Sequence, residues 1–133
     1  EYVHNFICPG YGKIANDIAL EFGWQYDVQK LAEIRAAEAL ETDGKTITFR
    51  KEPSGEFYVG GIFDAKIDGN AETSWTVKDA KHNLSIKETD SFVPDAVNLW
   101  GHSKSISPEM FFRFTAAPQE TIKWQRLYTV KTN

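Results

Sequence analysis

The sequence contains one cysteine, Cys8, and one methionine, Met110, among its 133 residues. A lone cysteine excludes a disulfide within the chain and leaves an intermolecular bridge or a buried thiol. Cys8 follows Ile7 and precedes Pro9, and no base or cationic group lies beside it, so we favour a buried thiol over a catalytic one. No apolar run approaches the ~18 residues of a membrane-spanning helix, and no membrane span is predicted.

Signature motifs of catalysis are also missing. The chain has no P-loop, no HExxH, no GxSxG and no CxxC sequence, so nothing predicts a bound nucleotide, a zinc protease or a serine hydrolase. The three histidines, His4, His82 and His102, lie far apart. None has a second ligand at metal-binding spacing. The sequence therefore predicts no cofactor and no metal site.

What is present suits one folded domain spanning residues 1–133. The chain is 41% hydrophobic and 14% aromatic, which supports a core and excludes disordered, collagen-like and coiled-coil chains. The net charge is −4, which argues against nucleic-acid binding by bulk charge. The C-terminal third is locally basic, since from Gly101 onward it contains five Lys and Arg residues and only two acidic residues. We interpret these cations as solvated strand faces.

The sequence predicts a secreted protein. It begins at Glu1, and its only methionine lies deep in the chain, which is typical of a mature protein without its signal peptide. The alternative is a trimmed cytosolic protein. Asn83-Leu84-Ser85 is an N-glycosylation sequence and agrees with secretion.

The first third of the chain predicts one or two helices. Residues at helical spacing predict a helix over 12–22 that ends at Gly23: Ile14, Ala15, Ile18 and Phe22. An alanine-rich stretch predicts a second helix over residues 30–41, capped by Asp27. As an alternative for the preceding residues, Trp24, Tyr26 and Val28 alternate with polar residues as in a short strand.

After Gly44 the hydrophobic period changes to two and predicts about six to seven antiparallel strands. A hairpin is predicted where Trp75 and Val77 face Leu84 and Ile86. Turn residues separate the other strands, at 53–55, 68–70, 107–108 and 117–118. The predicted fold class is α+β and β-rich, with the strands forming a curved sheet or a β-sandwich.

Two groups of residues are candidate binding residues. Trp100, His102 and Lys104 follow Val97 and Leu99 in alternation, so an outward face would carry them as a platform for a protein, a sugar or a base. Packing of this face under a loop is the alternative.

Arg113 and Arg126 form the second group. Arg126 falls between Trp124 and Tyr128 on an otherwise apolar face, where a guanidinium needs an anionic ligand or a buried partner. We favour a buried ion pair, with Glu56, Glu88 or Asp64 as the candidate partner.

The start of the chain resembles a known family. Phe6-Ile7-Cys8 is similar to the aromatic-x-Cys motif of secreted effector candidates from haustorium-forming fungi, the rusts and powdery mildews. Cys8-Pro9-Gly10, with Ile14 and Asp17-Ile18-Ala19, resembles their ribonuclease-like members. That resemblance implies one helix on a curved antiparallel sheet. It covers about twenty residues, and the second cysteine of the ribonuclease-like pattern is missing.

The resemblance implies a virulence effector that binds a host protein or is recognised by a host immune receptor, without catalysis. The first alternative is a ribonuclease-like enzyme that uses Glu56, Arg50 or Arg113, and His102 on RNA. The second is a carbohydrate-binding module, which would display coplanar rings of Trp75, Trp100 or Trp124. A carrier with a buried ligand is a further alternative.

Overall fold

The computed structural model describes residues 6–7, 13–14, 17–63 and 72–132, with the backbone alone at 6–7. His4, Cys8, Asp64 and the predicted turn at 68–70 lie outside the described residues. The described strands are β1 (Phe6–Ile7), β2 (Ile18–Phe22), β3 (Leu40–Thr42), β4 (Thr46–Phe49), β5 (Phe57–Val59), β6 (Ser74–Asp79), β7 (Leu84–Asp90), β8 (Ala96–His102), β9 (Ser105–Phe111) and β10 (Arg126–Thr132).

These strands form two antiparallel sheets, which confirms the predicted antiparallel strands. The predicted α+β class is wrong, because the described residues contain no α-helix. The smaller sheet has four strands in the order β1-β9-β8-β5, and the larger has six in the order β10-β7-β6-β2-β4-β3. The predicted hairpin is β6–β7, in which Val77 is the register partner of Ile86. No helix in the described part of the chain is long and apolar enough to cross a membrane.

One hydrophobic core lies between the sheets. Leu20, Val77 and Phe22 enter it from the larger sheet, and Leu99 and Ile106 enter it from the smaller one. The rings of Phe49 and Phe57, one from each sheet, meet with their centroids 5.4 Å apart. Removal of this apolar surface from water is the main force that holds the sheets together.

The predicted helix over residues 12–22 is wrong, because the described part of this segment forms strand β2. Ile18, Leu20 and Phe22 are buried in alternation with Ala19 and Glu21, which is the period of a strand. β2 pairs with β4 on one side and β6 on the other, so its backbone N–H and C=O groups are used by both neighbours rather than within a helix.

The predicted second helix over 30–41 is also wrong. Only two short 3-10 turns form, Val28–Lys30 and Ala37–Ala39, followed by β3. Asp27 does cap the first turn, since its Oδ1 accepts from the Gln29 N–H at 3.0 Å. Glu33 and Ala36 have φ angles of 52° and 54°, and this left-handed backbone interrupts a right-handed helix.

Pairing with strand β5 explains why the alanines do not propagate a helix. The Ala32 N–H donates to the Gly60 carbonyl at 3.1 Å, and Gly60 N–H donates back at 2.9 Å. The Arg35 N–H donates to the Tyr58 carbonyl at 3.0 Å. Tertiary hydrogen bonds of this kind outweigh helix propensity, which is worth less than ~1 kcal/mol per residue.

Two further expectations differ from the structure. The alternative strand through Trp24 and Tyr26 does not form, although both rings are buried. The turn predicted at Ser107-Pro108 is instead the middle of β9. Pro108 is the register partner of Leu99 in β8, so this proline lies within a strand and not at a turn.

Candidate functional site

The predicted platform lies at the end of the β8–β9 hairpin. Val97 and Leu99 are buried, whereas Trp100 and His102 are half-buried on the opposite face. The two rings meet edge to face, with their centroids 5.5 Å apart. Lys104 is exposed in the turn that follows β8.

His102 is held by its own hairpin. Its Nδ1 accepts from the Lys104 backbone N–H at 3.2 Å, and its Nε2 lies 3.3 Å from Ser105 Oγ. An Nδ1 that accepts is unprotonated, so in the neutral ring Nε2 carries the hydrogen and donates to Ser105. Both ring nitrogens therefore form hydrogen bonds within the turn between β8 and β9.

Arg113 lies at the opposite end of the smaller sheet. It lies two residues beyond Phe111, the last residue of β9, and Phe111 pairs with Ala96 at the start of β8. A strand rises about 3.3 Å per residue, so the two predicted groups are about 20 Å apart. The structure therefore does not bring the two predicted groups together in one site. It also separates Arg113 from His102, two of the residues named for a ribonuclease.

Arg126 belongs to a buried polar cluster, which confirms the expected pairing with Glu88. Arg126 Nη1 lies 3.9 Å from Glu88 Oε2, and Arg126 Nε lies 3.5 Å from Asp90 Oδ1. The side chain of Arg126 is only 10% exposed. Its Nη2 also donates to the Met110 carbonyl at 3.2 Å.

Glu88 organises the rest of this cluster. Its Oε1 accepts from the Trp75 indole N–H at 3.0 Å, and its Oε2 accepts from the Tyr128 hydroxyl. Burial and this bond to Glu88 raise the pKa of Tyr128 above its ordinary value. The hydroxyl is therefore a hydrogen-bond donor throughout the neutral range.

Asp90 is the second buried carboxyl group. Burial, followed by the nearby charge of Glu88, raises the pKa of Asp90 from 3.8 to about 7. The Arg126 guanidinium already balances the charge of the Glu88 carboxylate. A second negative charge in the same buried space would be uncompensated, so the protonated form of Asp90 is favoured. The arrangement fastens β7 to β10, because Asp90 and Arg126 are register partners.

An exposed aromatic patch covers this cluster, and sequence reasoning did not identify it. We define the patch as Phe92, Phe112, Phe114 and Trp124. Phe92 contacts the Arg126 guanidinium, 5.6 Å from its ring centroid, and stacks on Phe112 at 4.1 Å. Phe112 in turn contacts Phe114 at 5.5 Å and Trp124 at 5.4 Å. Phe114 and Trp124 remain 53% and 45% exposed.

The patch is supported from below by β9 and by the loop before β8. The Asp95 N–H donates to the Phe111 carbonyl at 2.7 Å, and the Arg113 N–H donates to the Asp95 carboxylate. These bonds fix the backbone on both sides of Phe112. Arg113 directly follows Phe112 in the sequence, and its side chain is exposed.

Of the four tryptophans, Trp24 and Trp75 are each 3% exposed, and Trp100 is half-buried. Only Trp124 presents much of its ring, so no strip of coplanar tryptophans forms. No protein-family model, curated protein or solved structure matches the chain.

Proposed function

We propose that this protein is a non-catalytic binding module whose contact surface is the aromatic patch and whose partner is another protein. The observation that carries the proposal is the exposure of Phe114 and Trp124, at 53% and 45%, with both rings packed against Phe112. Exposed aromatic groups of this kind mark interaction sites, and Trp is enriched among the residues that dominate binding energy.

The packing of the rings lowers the entropic cost of binding. Phe114 and Trp124 contact one another at 5.8 Å, and both contact Phe112, which stacks on Phe92. The rings are therefore ordered before a partner arrives. Binding then avoids part of the cost of immobilising side chains, which is about 0.5–1.5 kcal/mol for each flexible one.

The ring geometry favours a protein over a sugar. A sugar platform needs ring faces that lie in one plane and are open to solvent. Here the Phe112 and Trp124 planes cross at 64°, and Phe112 is covered by Phe92 at 4.1 Å. A compact cluster of rings of this kind suits an apolar pocket on a partner protein. Arg113 and Lys123 adjoin it in the sequence and are exposed, so we propose a pocket with an acidic rim.

The buried carboxyl groups support a binding role as well. Glu88 is 1% exposed, and Trp75, Tyr128 and Arg126 occupy its oxygens. These contacts give the cluster a structural role beneath the patch. A host target for a secreted effector, as the N-terminal resemblance implies, is part of this proposal.

Site-specific crosslinking tests the proposal. A photoreactive phenylalanine analogue replaces Trp124 in one protein and Val93, which is 66% exposed, in a matched control. Proteins captured from a candidate host extract by the first variant alone are identified, purified and titrated. We expect Phe114→Ala/Trp124→Ala to weaken their binding at least tenfold, and Val93→Ala to leave it unchanged.

Three results would contradict the proposal. Equal binding by the patch and control variants would move the contact surface elsewhere. Tight binding of a neutral oligosaccharide through Phe114 and Trp124 would make the protein a carbohydrate-binding module. Cleavage of total RNA that is lost in His102→Ala would make it an enzyme.

A further inference from the structure

The larger sheet carries a second surface, on the face turned away from the core. Strand alternation places Lys78, Lys87 and Lys131 there, on β6, β7 and β10. Register continues this pattern across the strands, since Lys78 pairs with Ser85 and Ser85 with Lys131. One row therefore reads lysine, serine, lysine over about 10 Å, at ~4.8 Å between strands.

The next row also combines charged and hydroxyl-bearing side chains. Glu21 pairs with Thr76, Thr76 with Lys87, and Lys87 with Thr129. Together with neighbouring residues these rows line an open groove of about 610 Å³, which we call the outer groove. Its charged and hydroxyl-bearing side chains are Glu21, Lys45, Glu72, Ser74, Thr76, Lys78, Ser85, Lys87, Thr89, Thr129 and Lys131.

Cations outnumber anions in the outer groove by four to two, although the protein as a whole has a net charge of −4. Glu21 lies between two lysines, with Lys45 Nζ at 3.4 Å and Lys78 Nζ on its other oxygen. Glu72 accepts from Lys87 at 2.7 Å. Lys131 forms no ion pair with the described residues.

These ion pairs orient the lysines without cancelling their charge. Lys78 and Lys45 lower the pKa of Glu21, so Glu21 stays ionised, and two lysines share its single charge. The excess of two positive charges lies over a surface of serine and threonine hydroxyls. This combination suits a ligand with anionic groups spaced among hydroxyl groups.

We propose that the outer groove binds an anionic polysaccharide chain. Its carboxylate or sulfate groups would contact Lys78, Lys87 and Lys131, and its hydroxyls would contact the serines and threonines between them. Among the described residues that line the groove, the one aromatic residue is Phe22, whose ring is fully buried in the core. These described residues therefore offer a nucleic acid no ring for base stacking, which single-strand binding uses.

The outer groove and the aromatic patch are separate surfaces. The groove lies on the outer face of the larger sheet, whereas the patch contacts Arg126, whose side chain lies on the opposite face of β10 from Thr129 and Lys131. Binding of a ligand in the outer groove is therefore independent of a protein partner at the aromatic patch. A protein with both surfaces would attach to a polysaccharide matrix and hold a protein partner at the same time.

Calorimetric titration with polygalacturonate and with heparin tests this proposal, with dextran as the neutral polymer. We expect binding to at least one of the anionic polymers, none to dextran, and weaker binding as salt screens the charges. Lys87→Gln/Lys131→Gln should lower the affinity at least tenfold. Glu21→Gln removes the central anion and should raise it.

The matched control is Lys30→Gln/Lys51→Gln, which removes the same charge from exposed lysines outside the groove. Thermal unfolding checks that all variants are folded. An equal loss of affinity in the control would show bulk charge attraction and overturn the proposal. The proposal also fails if no polysaccharide binds at millimolar concentration, or if oligouridylate binds more tightly than both anionic polymers.

Discussion

The indole N–H of Trp75 donates to Glu88 Oε1 at 3.0 Å, and these residues are also direct register partners in β6 and β7. A tryptophan that faces the core thus satisfies one oxygen of a carboxylate that is 1% exposed. The other oxygen accepts from Tyr128, on the far side of β7. Glu88 therefore joins three adjacent strands through side chains as well as through the backbone ladder.

Removal of this carboxylate should destabilise the fold strongly. Glu88→Ala removes the acceptor of the Trp75 indole N–H and of the Tyr128 hydroxyl. Loss of these hydrogen bonds to a buried carboxylate should lower the free energy of unfolding by about 3–5 kcal/mol. Urea denaturation measures it. Glu72→Ala is the control, because its side chain is 55% exposed and its removal should cost less than ~1 kcal/mol. Equal losses in the two variants would refute the role given to Glu88.

The stability should fall as the pH rises, because of Asp90. Its pKa is raised from 3.8 to about 7 in the folded protein, so between these values the folded state holds more protons than the unfolded state. The stabilisation is fully present below pH 3.8 and is lost as the pH passes about 7, with a total of about 4 kcal/mol. Glu88, Arg126 and Tyr128 are the ionisable groups that face Asp90.

Urea denaturation between pH 4 and pH 8 checks this dependence. Asp90→Asn imitates the protonated acid and should flatten the profile relative to the wild type. The difference between the two profiles measures the contribution of Asp90 and the groups that interact with it. Parallel profiles would mean that Asp90 does not titrate in this range.

A methyl group at Gly101 should be poorly tolerated. A Cβ atom there would lie 2.4 Å from Phe57 Cζ and 2.6 Å from the Ser105 carbonyl oxygen, so strands β8 and β9 would have to separate. We expect Gly101→Ala to cost at least about 2 kcal/mol. At Gly55 an added Cβ meets nothing within 4 Å, so Gly55→Ala is the matched control in thermal unfolding. A similar melting temperature for both variants would contradict the packing at Gly101.

Tryptophan fluorescence should report the aromatic patch directly. Trp24 and Trp75 are each 3% exposed, whereas Trp124 is 45% exposed, so iodide should quench mainly Trp124. Trp124→Phe is expected to remove most of the iodide-quenchable emission and leave the buried emission unchanged. If the variant remained as quenchable as the wild type, Trp124 would not be the exposed ring.

The β6–β7 hairpin was predictable because both of its strands have a short, regular alternation. Trp75, Val77, Leu84 and Ile86 mark both strands of the β6–β7 hairpin, and the turn between them is local. β2 carries the same alternation in Ile18, Leu20 and Phe22. The helical spacing of Ile14, Ile18 and Phe22 concealed it, since residues four apart share a face in a strand as well as in a helix.

The remaining errors arose from contacts between distant residues. Alanines 32 and 36 favour a helix locally, but Gly60 and Tyr58 take up the backbone of this segment through hydrogen bonds that no local pattern records. The patch was hidden for a similar reason. Alternation alone predicts strands through Phe112, Phe114 and Trp124, whereas β9 ends at Phe111 and β10 begins at Arg126. The buried Arg126–Glu88 pair was predictable, because an arginine on an apolar face needs a partner.

The order of strands in the larger sheet has a kinetic consequence. β2 lies between β4 and β6, and the last strand, β10, completes the sheet at one edge. In the smaller sheet β1 pairs with β9, so the first described strand pairs with one that lies late in the chain. Because many pairings join segments that are far apart in the chain, the entropy of loop closure must be overcome before those pairings stabilise anything. We therefore expect refolding on the scale of milliseconds to seconds, typical of all-β domains rich in non-local contacts.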